Sequence, residues 1–412
     1  MTGLDDILRQ CPVSDAQQLE LLKVKYRLSS LEDLQGAVVF GAAKLGAQIA
    51  LRLEGRGVGI CGFSDNDPER WNSNHCDWPV IPPRELDRRT PVIIASKFVK
   101  NIYASLLEQG ARQLIPHYIL PIVFPKDFPP GFHCLSADAV RSGEKYIREA
   151  FSLLSDEQSR DLYLSLLRFR ITLEPADLPD PTPGQYFPGD FWLLSPQEVF
   201  VDVGAFTGDT MISFLQHTGG VFSKYYALEP DPENLDELKK VIPAGLSGRI
   251  LALPYGAGER RHRALFVPHA GGESRISQDG SLSIEIISLD ELLASEAVST
   301  IKIDVEGYEE EVLNGARNIV GGKGPKLAVS VYHKLRDLWE IPVWIRECNG
   351  GYRFYLRHHT EEIYDTILYC VPDRNPGTGN CETTSHDEPN LSTVPKAGLI
   401  PGERESKPEG CP

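Results

Sequence analysis

Short apolar runs alternate with amphipathic stretches along most of the chain, and that alternation predicts strands separated by helices. Residues 1 to about 35 carry a loose helical stripe of Leu19, Leu22, Tyr26 and Leu28. Val38 to Phe40 reads as a strand, Gly41 to Gly46 as a turn and Ala47 to Leu53 as a helix. A second strand, Val58 to Phe63, precedes Asp65, and Pro91 to Ala95 is a further buried strand. A helix is expected over Ile102 to Gln109. Together these elements predict a small Rossmann-like unit over residues 36–122, preceded by a helical segment at 1–35.

A proline-rich link at Pro121 to Pro130 follows, and helical periodicity returns from Ser136 to Ile171. Residues 123–184 are read as a helical linker. The prolines of Asp177 to Asp190 exclude regular helix or sheet there. Beyond it, Val199 to Val201 runs into Asp202, Gly204 and Gly208, then a helix over Asp209 to His217. Strands are expected at Lys224–Leu228, Ile250–Pro254, Thr300–Asp304 and Lys326–Val331, with helices at Pro232–Val241 and Tyr308–Asn314 between them. Two more apolar segments, Gly351–Leu356 and Thr366–Val371, close a second, larger doubly wound sheet within residues 185–372. Residues 373–412 are rich in Pro, Gly, Ser, Thr and charge, and are expected to be a disordered tail.

Composition narrows the partners. A formal net charge of -16 argues against a nucleic-acid backbone or an anionic membrane surface. No apolar run approaches the roughly 20 residues of a membrane span. The N-terminus, MTGLDDILRQ, has no basic segment followed by an apolar one, so no secretory signal is expected and a cytoplasmic location is. The eight cysteines are scattered, with no Cys-x-x-Cys pair, which predicts reduced thiols and no zinc site.

The larger sheet carries the chemistry. Five features fall at successive strand ends: Asp202-x-Gly204-x-x-x-Gly208, Glu229, the turn Tyr255–Gly258, IKIDVEGYE at 301–309, and SVYHK at 330–334. Open parallel sheets bind ligands at the carboxyl ends of their strands. A scaffold alone would not need Asp, Glu, Asp and His there. Gly204 and Gly208 let backbone approach a ligand, and an acid ending the second strand, Glu229, suits two ribose hydroxyls. The close-approach glycine of a pyrophosphate turn is missing. A nucleoside cofactor without pyrophosphate therefore fits, and S-adenosylmethionine is one.

VFVDVGAFTGDT, YYALEPDPENL, IKIDVEGYEEEVLNGA, SVYHKLRDLWEIP and YLRHHTEEIYDTILYCV together resemble the FkbM family of S-adenosylmethionine-dependent methyltransferases over about residues 185–372. The resemblance implies an α/β, class I methyltransferase doubly wound sheet of seven strands with the last pair antiparallel. It also implies methyl transfer to a hydroxyl of a sugar, polyketide or other small metabolite. The cofactor set expected on this basis is Asp202, Gly204, Ala205, Gly208, Asp209, Thr210, Glu229, Pro230, Asp231, Gly256, Ala257 and Asp304. Asp202 would orient the turn and reach the methionine ammonium; Gly256 and Ala257 would flank the adenine. Asp304, Glu306 and His333 are the candidate catalytic groups, with His333 favoured as general base for its near-neutral unperturbed pKa. These three types also permit a divalent ion, although no metal is expected. His358 and His359 are candidates for the acceptor pocket, and Arg275 for a loop over the site.

The smaller unit has GAAKLG, with Ala43 where a dinucleotide fingerprint places its second glycine, and Asp65 is 24 residues beyond Gly41. It resembles Rossmann-like domains attached to some methyltransferases of that family and found in some sugar-modifying enzymes. Its readings are a nucleotide or nucleotide-sugar site, or a scaffold that positions the acceptor or builds a homodimer. Two alternatives for the whole chain remain open here: a nicotinamide-dependent oxidoreductase using this fingerprint, and a non-catalytic cofactor-binding protein.

Overall fold

A computed structural model describes residues 2–131, 133–268, 275–277, 279–322 and 324–373. The tail expected at 373–412 lies, apart from Asp373, outside the described residues. Residues 1–373 cluster as one compact unit built on two large sheets.

The first sheet contains β1 (Ala37–Phe40), β2 (Ile60–Ser64), β3 (Asn74–His75), β4 (Trp78–Ile81), β5 (Val92–Ile94) and β6 (Leu114–Pro116). Their order is β3-β4-β2-β1-β5-β6, parallel except for the β3–β4 pair. The helix after β1 spans Lys44–Glu54, so it starts earlier than its apolar stripe suggested and takes in Gly46. Two short helices, Thr2–Gln10 and Asp15–Tyr26, precede the sheet; the second is capped by the Ser14 side chain.

Three helices, Ala137–Ser142, Glu144–Leu153 and Glu157–Thr172, join the two sheets. The third is capped by Asp156, whose carboxylate also pairs with the buried Arg357 at 2.7 Å. Asp190, at the end of the proline-rich segment, pairs with the same guanidinium at 2.7 Å. One buried cation thus ties the linker helix and the irregular segment to the second sheet.

That second sheet starts with β7 (Val199–Val203), β8 (Lys224–Leu228) and β9 (Ile250–Leu253). A four-stranded insertion follows: β10 (Tyr255–Ala257), β11 (His262–Val267), β12 (Arg275–Ile276) and β13 (Leu282–Ile287). The sheet resumes with β14 (Thr300–Ile303), β15 (Lys326–Ser330), β16 (Tyr352–His358) and β17 (Thr366–Pro372). Its order is β16-β17-β15-β14-β7-β8-β9, with β17 antiparallel to both neighbours, as the sequence reading expected. Alternation divides its core residues. Val199, Val201 and Val203 pack on one face with the linker helices, while Phe200 joins Tyr225, Phe214 and Trp192 on the other.

Among the described residues Cys11, Cys61, Cys134, Cys348 and Cys370 are free thiols. Among the described residues no helix is long and apolar enough to cross a membrane.

Candidate active site

A cavity of about 330 Å³ opens over the carboxyl ends of β7, β8 and β14, where the strand order reverses. Of the expected cofactor residues, Gly204, Asp209, Thr210, Glu229, Pro230, Gly256, Ala257 and Asp304 line it. The inserted strands cover it with Phe266, Ile276 and Ile284, an apolar surface that suits a nucleobase.

Gly204 is held by geometry. Its φ is +80°, and a Cβ there would lie 1.9 Å from the Asp304 carbonyl oxygen. Gly204→Ala should destabilise the fold by at least about 2 kcal/mol, measured by denaturant unfolding. Glu229 is fixed by two backbone donors: Phe206 N–H to Oε2 at 2.8 Å and Asp231 N–H to Oε1 at 2.9 Å. Burial lifts its pKa to about 7, although these hydrogen bonds pull it down.

Four expected cofactor residues do not reach the cavity. Asp202 is fully buried below the turn, because β7 continues to Val203 and alternation turns Asp202 to the opposite face from Val201 and Val203. It accepts from Tyr225 Oη at 2.6 Å and pairs with Lys302 Nζ at 3.1 Å beneath the turn. Ala205 packs in the core and Gly208, at φ +96°, starts the following helix. Asp231 caps the helix Pro232–Val241 by accepting from Glu233 N–H.

Lys302, which the sequence reading passed over, lines the cavity. Its ammonium donates to the Gly204 carbonyl at 2.6 Å and lies 5.2 Å from the Tyr186 ring centre. Burial works against its charge, but Asp202 and Asp304 outweigh that and hold it protonated.

Asp304 accepts from Tyr186 Oη at 2.6 Å, Ser330 Oγ at 2.8 Å and Tyr332 Oη at 3.4 Å. Burial would raise its pKa, yet Lys302, His333 and these hydroxyls lower it, leaving a fixed carboxylate. Glu306 also lines the cavity, from a left-handed backbone position at φ +53°. His333 sits behind these two acids. Its Nδ1 meets Glu309 Oε1 at 2.8 Å, and its Nε2 lies 3.3 Å from Glu306 Oε2 and 3.7 Å from Asp304 Oδ1. Burial would lower its pKa, but Glu306, Glu309 and Asp304 together push it up to about 11. These acids hold the ring toward its protonated form, which works against the neutral base expected of His333. Asp304, Glu309 and His333 bring ligand atoms within 4.8 Å of one another, a spacing that a divalent cation can bridge.

His358 and His359 do not line this cavity. His358 is buried against Thr366 Oγ1 at 2.9 Å and pushed by burial down to about 4. His359 bridges the Thr182 carbonyl and Tyr369 Oη. Arg275 lies in β12 of the insertion. The remaining residues that sequence reasoning missed are Tyr186, Glu309 and Tyr332. Glu309 and Tyr332 stand inside the quoted motifs; Tyr186 lies in the proline-rich segment and gave no signal.

A seven-stranded sheet of this order, with its cavity at the switch point and a fixed acid after the second strand, defines a class I methyltransferase fold. Residues 202–354 match the methyltransferase FkbM domain. The crystal structure of methyltransferase FkbM from Methylobacillus flagellatus superposes with a TM-score of 0.67 at 22% identity, covering 87% of this chain and 98% of that one. It therefore shares the fold of both sheets' combined unit. The hexuronic acid methyltransferase AglP of Haloferax volcanii is 36% identical over 99 residues, 23% of this chain. The chain spans 41% of the length of that curated relative. An rRNA methylase from Streptococcus thermophilus aligns over 43% of this chain and 88% of its own, at 16% identity and a TM-score of 0.28.

Proposed function

We propose that the chain transfers a methyl group from S-adenosylmethionine to a hydroxyl of a sugar or another small hydroxylated metabolite. The observation that carries this reading is the cavity itself. It joins a glycine turn open to close approach, a carboxylate fixed by two backbone N–H groups, an apolar cover and, at its other end, Asp304 and Glu306. A sugar acceptor accords with the Haloferax relative, whose name assigns it a hexuronic acid.

Glu229 would hold the ribose hydroxyls, the apolar insertion the adenine, and Lys302 the methionine carboxylate. The cofactor supplies a methyl carbon on a sulfonium, already activated toward an oxygen nucleophile. What remains for the protein is alignment and proton removal. Glu306 is the carboxylate placed to take the hydroxyl proton. It lines the cavity, whereas Asp304 already accepts from three hydroxyls and the surrounding acids hold His333 toward its protonated form. His333 acts through Glu306: its charge, anchored by Glu309, sets where the Glu306 carboxylate stands.

Because Glu229 accepts hydroxyl protons best when ionised, S-adenosylhomocysteine affinity should rise with pH through about 7 and level off above it. Calorimetric titration across that range checks this, and Glu229→Gln should remove the dependence and weaken binding by about tenfold or more. The activity itself is tested by labelled methyl transfer to a panel of hexuronic acids, neutral sugars and other hydroxylated metabolites. Label in a methyl ether supports the reading; S-adenosylhomocysteine bound without transfer to any acceptor supports a non-catalytic binding protein instead.

A further inference from the structure

A second cavity, of about 360 Å³, lies over the smaller sheet and takes no part in methyl transfer as described. It opens over the carboxyl ends of β2, β1 and β5, the point where that sheet's strand order reverses. Gly41, Asp65, Asn66, Pro83, Ser96 and Asn101 are among its walls.

The acid-and-turn geometry of the methyltransferase site recurs here, with Arg70 added: its guanidinium lies 3.8 Å from Asp65 Oδ2 and donates to the Ala42 carbonyl. Ala42 N–H donates to Asp65 Oδ2 at 2.8 Å, as Phe206 N–H donates to Glu229 Oε2 at 2.8 Å, and each pair is 23 residues apart. Asp67 N–H donates to Asp65 Oδ1 at 2.9 Å, as Asp231 N–H does to Glu229 Oε1 at 2.9 Å. Asp67 and Asp231 then cap the next helical turns, each followed by proline. Gly41, at φ +113°, could not carry a Cβ, which would lie 2.4 Å from the Ala95 carbonyl oxygen. Ala95 follows β5 as Asp304 follows β14, the strand against which Gly204 is held.

The differences between the two sites bear on the ligand. The helix after β1 begins at Lys44, three residues beyond Gly41, and has no acid in its first turn. The helix after β7 begins five residues beyond Gly204, at Asp209. Gly46 lets the first helix sit directly on its turn, since a Cβ there would be 2.0 Å from the Gly41 carbonyl oxygen. The first turn of a helix favours an anion when it carries no acid, whereas an aspartate there disfavours one. Ala43 is no obstacle in conformation: its φ is −138°, extended backbone open to any residue.

We propose that this cavity is a second nucleoside site, with Asp65 toward the ribose and the Gly41–Lys44 turn toward a 5′-diphosphate. The ligand class is a nucleoside diphosphate, free or carrying a further group. The assignment of Asp65 rests on the ribose role given to Glu229.

The test uses the full chain saturated with S-adenosylhomocysteine and titrated calorimetrically with UDP and, separately, with ADP. The expected result is one site per chain for at least one of the two, and the pair reports which base is preferred. Asn101 is an exposed wall residue, so Asn101→Trp should fill the cavity without unfolding the chain. It should weaken the nucleotide by about tenfold or more while S-adenosylhomocysteine affinity stays unchanged. Glu229→Ala should show the reverse pattern. The proposal is overturned if neither nucleotide binds, if Asn101→Trp leaves nucleotide affinity intact, or if the nucleotide displaces S-adenosylhomocysteine. Failure of S-adenosylhomocysteine to bind the unaltered chain would count against the methyltransferase reading and not against this cavity.

Discussion

Glu306→Gln should lower kcat by about 10²- to 10⁴-fold, the usual worth of a positioned acid or base, with S-adenosylhomocysteine affinity little changed. The amide keeps the size of the side chain and its left-handed turn, and removes the charge, and with it the ability to take a proton and the ion pair with His333. His333→Gln should also lower kcat, but through displacement of Glu306. The pH profile separates the roles. A histidine base gives a kcat that rises through the ordinary imidazole range near 6.5. With His333 held protonated to about 11 by Glu306, Glu309 and Asp304, that limb should be missing at saturating S-adenosylmethionine. A clear limb there, abolished in His333→Gln, would return the base role to the histidine.

The second large effect lies beneath the glycine turn. Lys302→Met should destabilise the chain by about 3–5 kcal/mol, the cost of leaving one member of a buried pair uncompensated. Asp202 would then stand fully buried with only Tyr225 Oη to meet it. The Gly204 carbonyl would lose its donor as well. The double variant Asp202→Asn with Lys302→Met should recover part of the loss, because no charge is stranded; denaturant unfolding of the three variants measures it. A single-variant loss below about 1 kcal/mol would show that the pair does not support the turn.

Several parallel strands were legible because a short apolar run is ended by Gly or an acid, as at Phe40–Gly41, Leu228–Glu229 and Ile303–Asp304, whereas β4 and β6 of the smaller sheet were not foreseen. Lys224–Leu228 and Pro232–Val241 have the same bounds in the structure as in the reading. The insertion over the cavity was not legible. Tyr255–Ala257 looked like a turn, since its three residues contain a glycine and its partner β13 lies about thirty residues on. Pairing of that kind depends on contacts that no local pattern records. The position of Asp202 was misread by the same local logic. Asp202 was expected at the end of the strand, within reach of the ligand, whereas β7 continues to Val203 and buries it. Lys302 and Glu309 were in view within IKIDVEGYE, but only the fold shows which side chains face the ligand and which face Asp202 and His333. Tyr186 reaches Asp304 across 118 residues from a segment with no periodicity at all.

The repeat of the acid-and-turn geometry in both sheets shows the same limit from the other side. EPDPE at 229–233 and DNDPE at 65–69 are similar as strings, yet a string does not show that both acids accept from the same two backbone positions.

The claim on which the rest depends is that the cavity after β7 and β8 holds S-adenosylmethionine through Glu229. Calorimetric titration of the full chain with S-adenosylhomocysteine tests it most directly. The account predicts one site per chain, tighter above pH 7 than below it, and lost in Glu229→Ala while the chain stays folded. The absence of any binding heat in the unaltered chain, or binding undiminished in Glu229→Ala, would contradict it.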